Sequence, residues 1–133
     1  MVASLQLDVA PRLSAIGPAA ASVREFLARH AVDSSASYAT DLVFEELLSN
    51  VLRHGRAKAS AVFVLLSVHA AEVELRVHDR GMEFDPTIAS DEPQAEWGTG
   101  GRGLRLVHAF AQRLDYERVG GENRLRVCIA RTG

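Results

Sequence analysis

The composition of this chain limits the classes of protein to which it can belong, before any motif is considered. Of its 133 residues, 47% are hydrophobic and 24% charged, which is ordinary for a single globular domain over 1–133. A formal net charge of -2 gives no electrostatic footprint for direct nucleic-acid binding or for an anionic membrane. No apolar run approaches the roughly 20 residues of a membrane span, and the N-terminus does not read as a signal peptide. The single cysteine, Cys128, excludes an internal disulfide and fits a reducing compartment. We therefore expect a cytoplasmic protein.

The first part of the chain predicts one strand and two helices. Residues 4–9 alternate apolar and polar side chains, which is typical of a strand with one buried face. Residues 18–30 repeat apolar side chains at helical spacing, and Pro18 suits a first helical turn. Several N-cap residues at 33–37 predict the start of a second helix, which runs to about His54.

The second part predicts four strands, a long loop and a third helix. Segments 60–69 and 72–79 have the apolar content and alternation of two adjacent strands, and 82–99 lacks any period, as expected for a binding loop or lid. A helix follows the glycine-rich segment 98–103, and the strands 114–119 and 124–130 close the chain. This order predicts an α+β fold, a two-layer α/β sandwich whose mixed, mostly antiparallel sheet is covered on one face by helices.

Glu46 and Asn50 are the first pair of candidate functional residues. Four residues apart on the second predicted helix, they stack with His54 as a polar line beside an apolar one. A carboxylate one turn from a carboxamide suits a metal ion and the orientation of a nucleophile. A solvated helix face remains an alternative for Glu46 and Asn50, and a helix C-terminal cap remains one for His54.

Asp79 and Gly81 form the second candidate group. Asp79 has the same parity as the apolar residues of its strand, so a buried carboxylate is expected at the strand end, where it must be paired or bind something. Gly81 removes a side chain where a ligand ring could approach the backbone. A simple strand-ending turn is the alternative.

The glycine-rich segment 98–103 is the third candidate group. Its free backbone N–H groups at a helix N-terminus suit phosphates, although it has neither the P-loop spacing nor the setting of a dinucleotide fingerprint. A flexible hinge is the alternative. A nucleotide site needs all three groups together, for the metal and base, for purine selection and for the phosphate cradle.

These three groups resemble the boxes of the Bergerat-fold (GHKL) ATPases, the superfamily of gyrase, MutL and histidine-kinase catalytic domains. Glu46 to Asn50 is similar to the N box, Asp79 to Gly81 to the G1 box, and Gly98 to Leu104 to the G2 box. The pattern that ends in His54 and Gly55 is similar to the branch of bacterial anti-sigma factor serine/threonine kinases.

The resemblance implies a role for each matching residue. Glu46 would act as general base, Asn50 would hold Mg²⁺ on the phosphates of ATP, and Asp79 would accept a hydrogen bond from the adenine amino group beside Gly81. The remaining nucleotide-binding residues would be Gly98, Gly100, Gly101, Arg102, Gly103 and Leu104. Many relatives carry a threonine beside the adenine aspartate, and here the matching place holds Asn123, which by parity could still face the base.

The resemblance also implies a function and partners. It predicts an ATP-dependent serine/threonine protein kinase that phosphorylates an anti-anti-sigma (STAS-type) protein, binds a sigma factor and forms a homodimer. Two alternatives stay open. One is a non-catalytic module that binds nucleotide or sequesters a partner, and the other is a histidine-kinase-like catalytic domain.

Overall fold

Five strands and three helices make up the described part of the chain. The computed structural model describes residues 2–54, 60–83, 85 and 100–132, with the backbone alone for 54 and 100–104. In chain order the elements are β1 (Ala3–Val9), a 3-10 turn (Leu13–Ala15), α1 (Ile16–Arg29), α2 (Ser34–His54), β2 (Val62–Val68), β3 (Glu72–Asp79), α3 (Gly100–Phe110), β4 (Arg113–Val119) and β5 (Glu122–Ala130).

The strands form one sheet in the order β1-β2-β3-β5-β4, and all four pairings are antiparallel. The predicted two-layer α+β fold is confirmed, but the expectation of a mixed sheet was wrong for the described strands. β3 and β4, which are connected through α3, run in the same direction. They do not pair with each other because β5 lies between them. The position of β5 therefore prevents β3 and β4 from forming a parallel pair, which a connection through a helix would otherwise allow.

The core lies between one face of this sheet and the helices. The apolar residues of β2 and β3 that share one parity are almost fully buried, as are Phe44 and Leu48 of α2. Burying a side chain of that size contributes about 2 kcal/mol each. β1 shows the predicted alternation, with Leu5 and Leu7 packed against the core and Ser4 and Gln6 exposed.

Helix α2 is the central helix of the covering layer. It spans 21 residues and contacts α1, α3, β3 and β5. Asp33 caps its N-terminus, because the Asp33 Oδ2 accepts a 3.1 Å hydrogen bond from the Ala36 backbone N–H. Within the described ranges, no helix is both long and apolar enough to cross a membrane.

The β2–β3 and β4–β5 strand pairs are each joined by a tight turn. The backbone N–H of His69 donates to the Glu72 carbonyl at 2.8 Å and closes the β2–β3 hairpin. At the β4–β5 turn, Gly120 and Gly121 have φ angles of 56° and 77°. Two consecutive positive φ angles match the twist of the flanking strands, and glycine adopts them without steric cost.

Candidate functional site

The central helix carries the first two candidate residues on one side. Asn50 is only 5% exposed, and its Nδ2 has no hydrogen-bond partner among the described residues. Glu46, one turn earlier, is half-buried. Buried polar groups are normally hydrogen-bonded, and leaving one unsatisfied costs about 1–3 kcal/mol. The Asn50 Nδ2 is therefore a buried donor whose hydrogen-bonding capacity the described residues do not satisfy.

The neighbouring carboxylates Glu45 and Glu46 lie in different surroundings. Glu45 turns toward α1, where the guanidinium of Arg24 lies 4.0 Å from Glu45 and 3.3 Å from Asp41. Burial, followed by the hydrogen bond and charge of Asp41, raises the pKa of Glu45. Glu45 thus belongs to an ion-pair group between α1 and α2. Glu46 is the carboxylate that shares a helix side with Asn50, as the four-residue spacing predicts.

Asp79 ends β3 on the helix-covered face, as its parity predicted, and is 6% exposed. Its Oδ1 accepts a 2.8 Å hydrogen bond from the backbone N–H of Gly81. This is the Asp-x-Gly turn that the sequence offered as an alternative to a ligand site. The turn and a ligand role are compatible, because this hydrogen bond occupies only one of the two carboxylate oxygens.

Asn123 lies directly opposite Asp79 in the β3–β5 register. Its Nδ2 donates to the Asp79 Oδ1 at 3.0 Å and to the backbone carbonyl of Met82 at 2.8 Å. Its Oδ1 accepts hydrogen bonds from the Tyr116 hydroxyl at 2.5 Å and from an Arg118 guanidinium nitrogen at 3.0 Å. The structure therefore brings Asp79, Gly81 and Asn123 into one hydrogen-bonded group.

Tyr116 and Arg118 were not anticipated by the sequence analysis. They alternate with outward-facing residues along β4, and the register places them beside Leu125 and Asn123 of β5. The available signal was the change along one strand face from the apolar Leu114 to residues that carry hydrogen-bond donors. Reading that signal required the pairing of β4 with β5.

The described part of the glycine-rich segment, Gly100 to Gly103, lies in the first turn of α3, which begins at Gly100. The first N–H groups of a helix have no acceptor within the helix, so the amides of Gly100, Gly101 and Arg102 fall in the turn that offers free donors. The side chains of Arg102 and Leu104, and the predicted site residue Gly98, lie outside the described residues. So does most of the predicted loop.

These residues fit a nucleotide and its magnesium ion by their chemistry. Asn50 supplies a carboxamide oxygen, a ligand type that Mg²⁺ accepts, on an amide whose nitrogen has no partner in the described part of the chain. Asp79 supplies a buried carboxylate acceptor, and α2, which carries Asn50, packs against β3, which carries Asp79. The start of α3, beside α2, supplies backbone donors for anionic groups.

A two-layer α+β domain with this arrangement has the architecture of a Bergerat-type ATPase domain. The chain belongs to the histidine kinase-like ATPase domain family, whose model matches residues 9–129. The resemblance drawn from the three boxes is thereby confirmed at the level of the family.

A curated relative matches part of the chain. The chain is 34% identical over 90 residues to the serine/threonine-protein kinase BtrW of Bordetella bronchiseptica. The match covers 63% of this chain and 63% of that kinase, so about a third of each is unmatched.

The solved structures show the fold. The RsbU and RsbW domains of a Mycobacterium tuberculosis protein match with a TM-score of 0.73 at 18% identity, over 98% of this chain and 33% of that one. The SiaB–SiaC complex of Pseudomonas aeruginosa matches with a TM-score of 0.68 at 16% identity, over 94% of this chain and 88% of that one. A blue-light activated histidine kinase of Erythrobacter litoralis gives 0.53 at 20% identity, over 88% of this chain and 59% of that one.

Proposed function

We propose that this chain is an ATP-dependent serine/threonine protein kinase of the anti-sigma factor type. The observation that carries the proposal is the buried carboxamide of Asn50, with an unpartnered Nδ2 within the described structure, one turn after the half-buried Glu46 on the central helix. An N–H donor kept unsatisfied inside an ATPase-family domain fits a ligand that offers acceptor atoms, such as the phosphate oxygens of ATP. The kinase named BtrW, at 34% identity, supports protein phosphorylation as the reaction.

Each residue of the site has one task in this proposal. Asp79 accepts a hydrogen bond from the amino group of adenine, and Gly81 leaves room for the ring beside the backbone. The amides at the start of α3, with Gly98 and Arg102, bind the phosphates. Asn50 holds Mg²⁺, which neutralises phosphate charge when it is bound.

Glu46 acts as the general base in the transfer. Its carboxylate takes the proton from a serine or threonine hydroxyl of the substrate protein as that oxygen attacks the γ-phosphorus, and the bond to the β-phosphate oxygen breaks. Positioning and charge neutralisation supply most of what phosphoryl transfer requires. Glu45 does not have this role, because it lies about 100° around the helix from Glu46 and its carboxylate is 4.0 Å from the guanidinium of Arg24 on α1.

The proposed substrate is an anti-anti-sigma protein of the STAS type, and the proposed regulatory target is a sigma factor. Support comes from the relatives: BtrW is named as a kinase, RsbW domains share the fold, and SiaB was solved as a complex with a second protein, SiaC. We further propose a homodimer that acts in the cytoplasm, where ATP and sigma factors are found. Analytical ultracentrifugation tests the dimer.

The decisive experiment compares two adjacent carboxylates. The protein is incubated with γ-labelled ATP, Mg²⁺ and a panel of STAS-domain proteins, and transfer of acid-stable phosphate to a partner is measured. Glu46→Gln is expected to lower transfer by about 10²–10⁴-fold, the range of general-base contributions, while ATP binding is retained. Glu45→Gln is the matched control and is expected to leave transfer within a few-fold of wild type.

The other outcomes separate the alternatives. Partner binding without transfer by the wild type would identify a sequestering module, and acid-labile phosphate would identify a histidine-kinase-like activity. Absence of ATP binding at millimolar concentration would overturn the kinase proposal altogether.

A further inference from the structure

Asn123 is the centre of a hydrogen-bonded group made by protein atoms alone. A carboxamide has two N–H donors and two acceptor lone pairs. The N–H groups are directed at Asp79 and at the Met82 carbonyl, and the oxygen accepts from Tyr116 and Arg118. Among the described residues, these four hydrogen bonds engage both the nitrogen and the oxygen of the amide.

The chemistry of the partners fixes the orientation of this amide. The Arg118 guanidinium can only donate, so the atom facing it must be the oxygen. The Met82 carbonyl can only accept, so the atom facing it must be the nitrogen. An amide rotated by 180° would place its N–H groups against the Arg118 donor and its oxygen against the Met82 carbonyl oxygen. Asn123 therefore has a single satisfied orientation.

Both hydrogen bonds to the Asp79 carboxylate within the described residues converge on one oxygen. Oδ1 accepts from the Asn123 Nδ2 at 3.0 Å and from the Gly81 backbone N–H at 2.8 Å. Rotation of the carboxylate would break both. Because Asp79 and Asn123 are only 6% and 5% exposed, water cannot readily replace these bonds.

The same hairpin also holds the backbone that follows β3. The guanidinium nitrogen of Arg118 that contacts Asn123 donates to the Gly81 carbonyl at 2.8 Å. Asn123 meanwhile binds the next carbonyl, that of Met82. Residues 81 and 82 are therefore tied to β4 and β5 at the point where the chain leaves the sheet toward the predicted loop.

We propose that Asn123 is a positioning residue for Asp79 and not itself a ligand of the nucleotide. With Tyr116 and Arg118 it forms a clasp that fixes Asp79 Oδ1, so that Oδ2 is presented to a donor such as the exocyclic amine of a base. This inference rests on the nucleotide site of the proposed function. It replaces the sequence-based expectation that Asn123 faces the base, and it extends the site to two residues of β4.

A first measurement tests the clasp without any nucleotide. Hydrogen exchange of the Gly81 amide is followed by NMR in the wild type, Asn123→Ala and Tyr116→Phe. Loss of support for the Asp79 carboxylate is expected to speed exchange about tenfold, the equivalent of one hydrogen bond. Tyr116→Phe removes a single hydroxyl and keeps the test valid if Asn123→Ala folds poorly. Arg124→Ala, on the opposite face of β5, is the control and should not change the rate.

A second measurement separates positioning from direct contact with the base. Calorimetric titrations compare ATP with purine riboside triphosphate, which lacks the 6-amino group. Wild type is expected to prefer ATP by about tenfold. Asn123→Ala should lose that preference because it weakens the binding of ATP alone. Tyr116→Phe should reduce the preference for ATP in the same direction. The double variant should be no worse than Asn123→Ala, because both act through Asp79.

The outcomes distinguish this inference from the function on which it rests. Equal weakening of both nucleotides by Asn123→Ala, or ATP binding with unchanged Gly81 exchange in both variants, would overturn the clasp and leave the kinase proposal standing. Failure of the wild type to bind either nucleotide would overturn the proposed function and the nucleotide part of the inference, whatever the exchange rates show.

Discussion

Glu74 accepts a 2.6 Å hydrogen bond from the Nε of Arg126, across strands β3 and β5, on the sheet face opposite the core. Its second carboxylate oxygen accepts from the Nε of Arg76 at 3.1 Å. Two guanidinium groups thereby cover the carboxylate, and Glu74 is only 8% exposed although its parity points away from the helices. This face of the sheet carries its own polar layer of paired charges.

Glu74→Gln is expected to lower stability in a pH-dependent way. Burial alone would raise the pKa of Glu74, but the hydrogen bonds from Arg126 and Arg76 outweigh it and hold the pKa below the ordinary value of 4.5. A depressed carboxyl pKa stabilises the folded state above the unfolded pKa, and this stabilisation is lost as the pH falls through the folded value. We expect a cost of about 1–2 kcal/mol at pH 7 that diminishes as the pH falls through the lowered pKa of Glu74, measured by urea denaturation.

The control for that prediction is an exposed ion pair of similar geometry. Glu25 and Arg29 pair at 3.0 Å on α1, with side chains 75% and 62% exposed. Glu25→Gln is expected to change stability by less than about 0.5 kcal/mol at any pH. A Glu74→Gln difference that persists unchanged at low pH would show that packing, and not the charge, is responsible.

Cys128 is expected to be unreactive in the folded protein. It is fully buried, and burial, with a hydrogen bond to Glu72, raises the pKa of its thiol to about 11. Because the thiolate is the nucleophile, a thiol reagent should modify Cys128 only at the rate of unfolding. The matched control places a cysteine at the exposed Ala130 of the same strand in a Cys128→Ala background. Rapid modification of Cys128 in the native wild type would contradict the observed burial.

The glycines of the β4–β5 turn are expected to tolerate alanine poorly. Gly120 and Gly121 have φ angles of 56° and 77°, so alanine at either position should cost about 1 kcal/mol. Gly17 is the control, because it lies in α1 and an alanine Cβ at this position would meet no atom within 4 Å. Gly17→Ala should raise stability by about 0.5 kcal/mol. Chemical denaturation of the three variants measures the expected losses and the expected gain in stability. Equal changes in all three would show that the backbone φ angle is not the cause.

Local patterns in the sequence were sufficient to predict the elements and the three boxes. The alternation in β3 placed Asp79 on the core side, and the four-residue spacing placed Glu46 and Asn50 on one side of α2. These features depend on residues close together in the chain. The elements differ from the predicted bounds mainly at α3, whose described part begins at Gly100.

Features that depend on strand order could not be predicted in the same way. The outward parity of Cys128 suggests exposure, but Glu74 of the neighbouring β3 pairs with Arg126 of β5 on that face, and Cys128 is buried there. The contact of Tyr116 with Asn123 depends on the β4–β5 register, and the antiparallel sheet depends on the insertion of β5. Each of these is a relation between segments, so no single segment carries its signal.

Asn50→Leu should separate the cost of Asn50 to the fold from its contribution to ligand binding. Replacing a buried amide that has no Nδ2 partner in the described structure should leave the stability of the nucleotide-free protein unchanged or raise it by about 1 kcal/mol. The stabilisation by Mg²⁺-ATP, about 2.7 kcal/mol at a hundredfold excess over Kd in the wild type, should be lost. Thermal unfolding with and without Mg²⁺-ATP measures both effects.

Thr40→Val is the matched control on the same helix, since the fully buried Thr40 hydroxyl also has no partner among the described residues. The Thr40→Val variant should be about 1 kcal/mol more stable without nucleotide and should keep the stabilisation by Mg²⁺-ATP. If Asn50→Leu instead lost more than about 2 kcal/mol without nucleotide, or kept the full Mg²⁺-ATP effect, Asn50 would be a structural residue and the site would have to hold its metal ion by other groups.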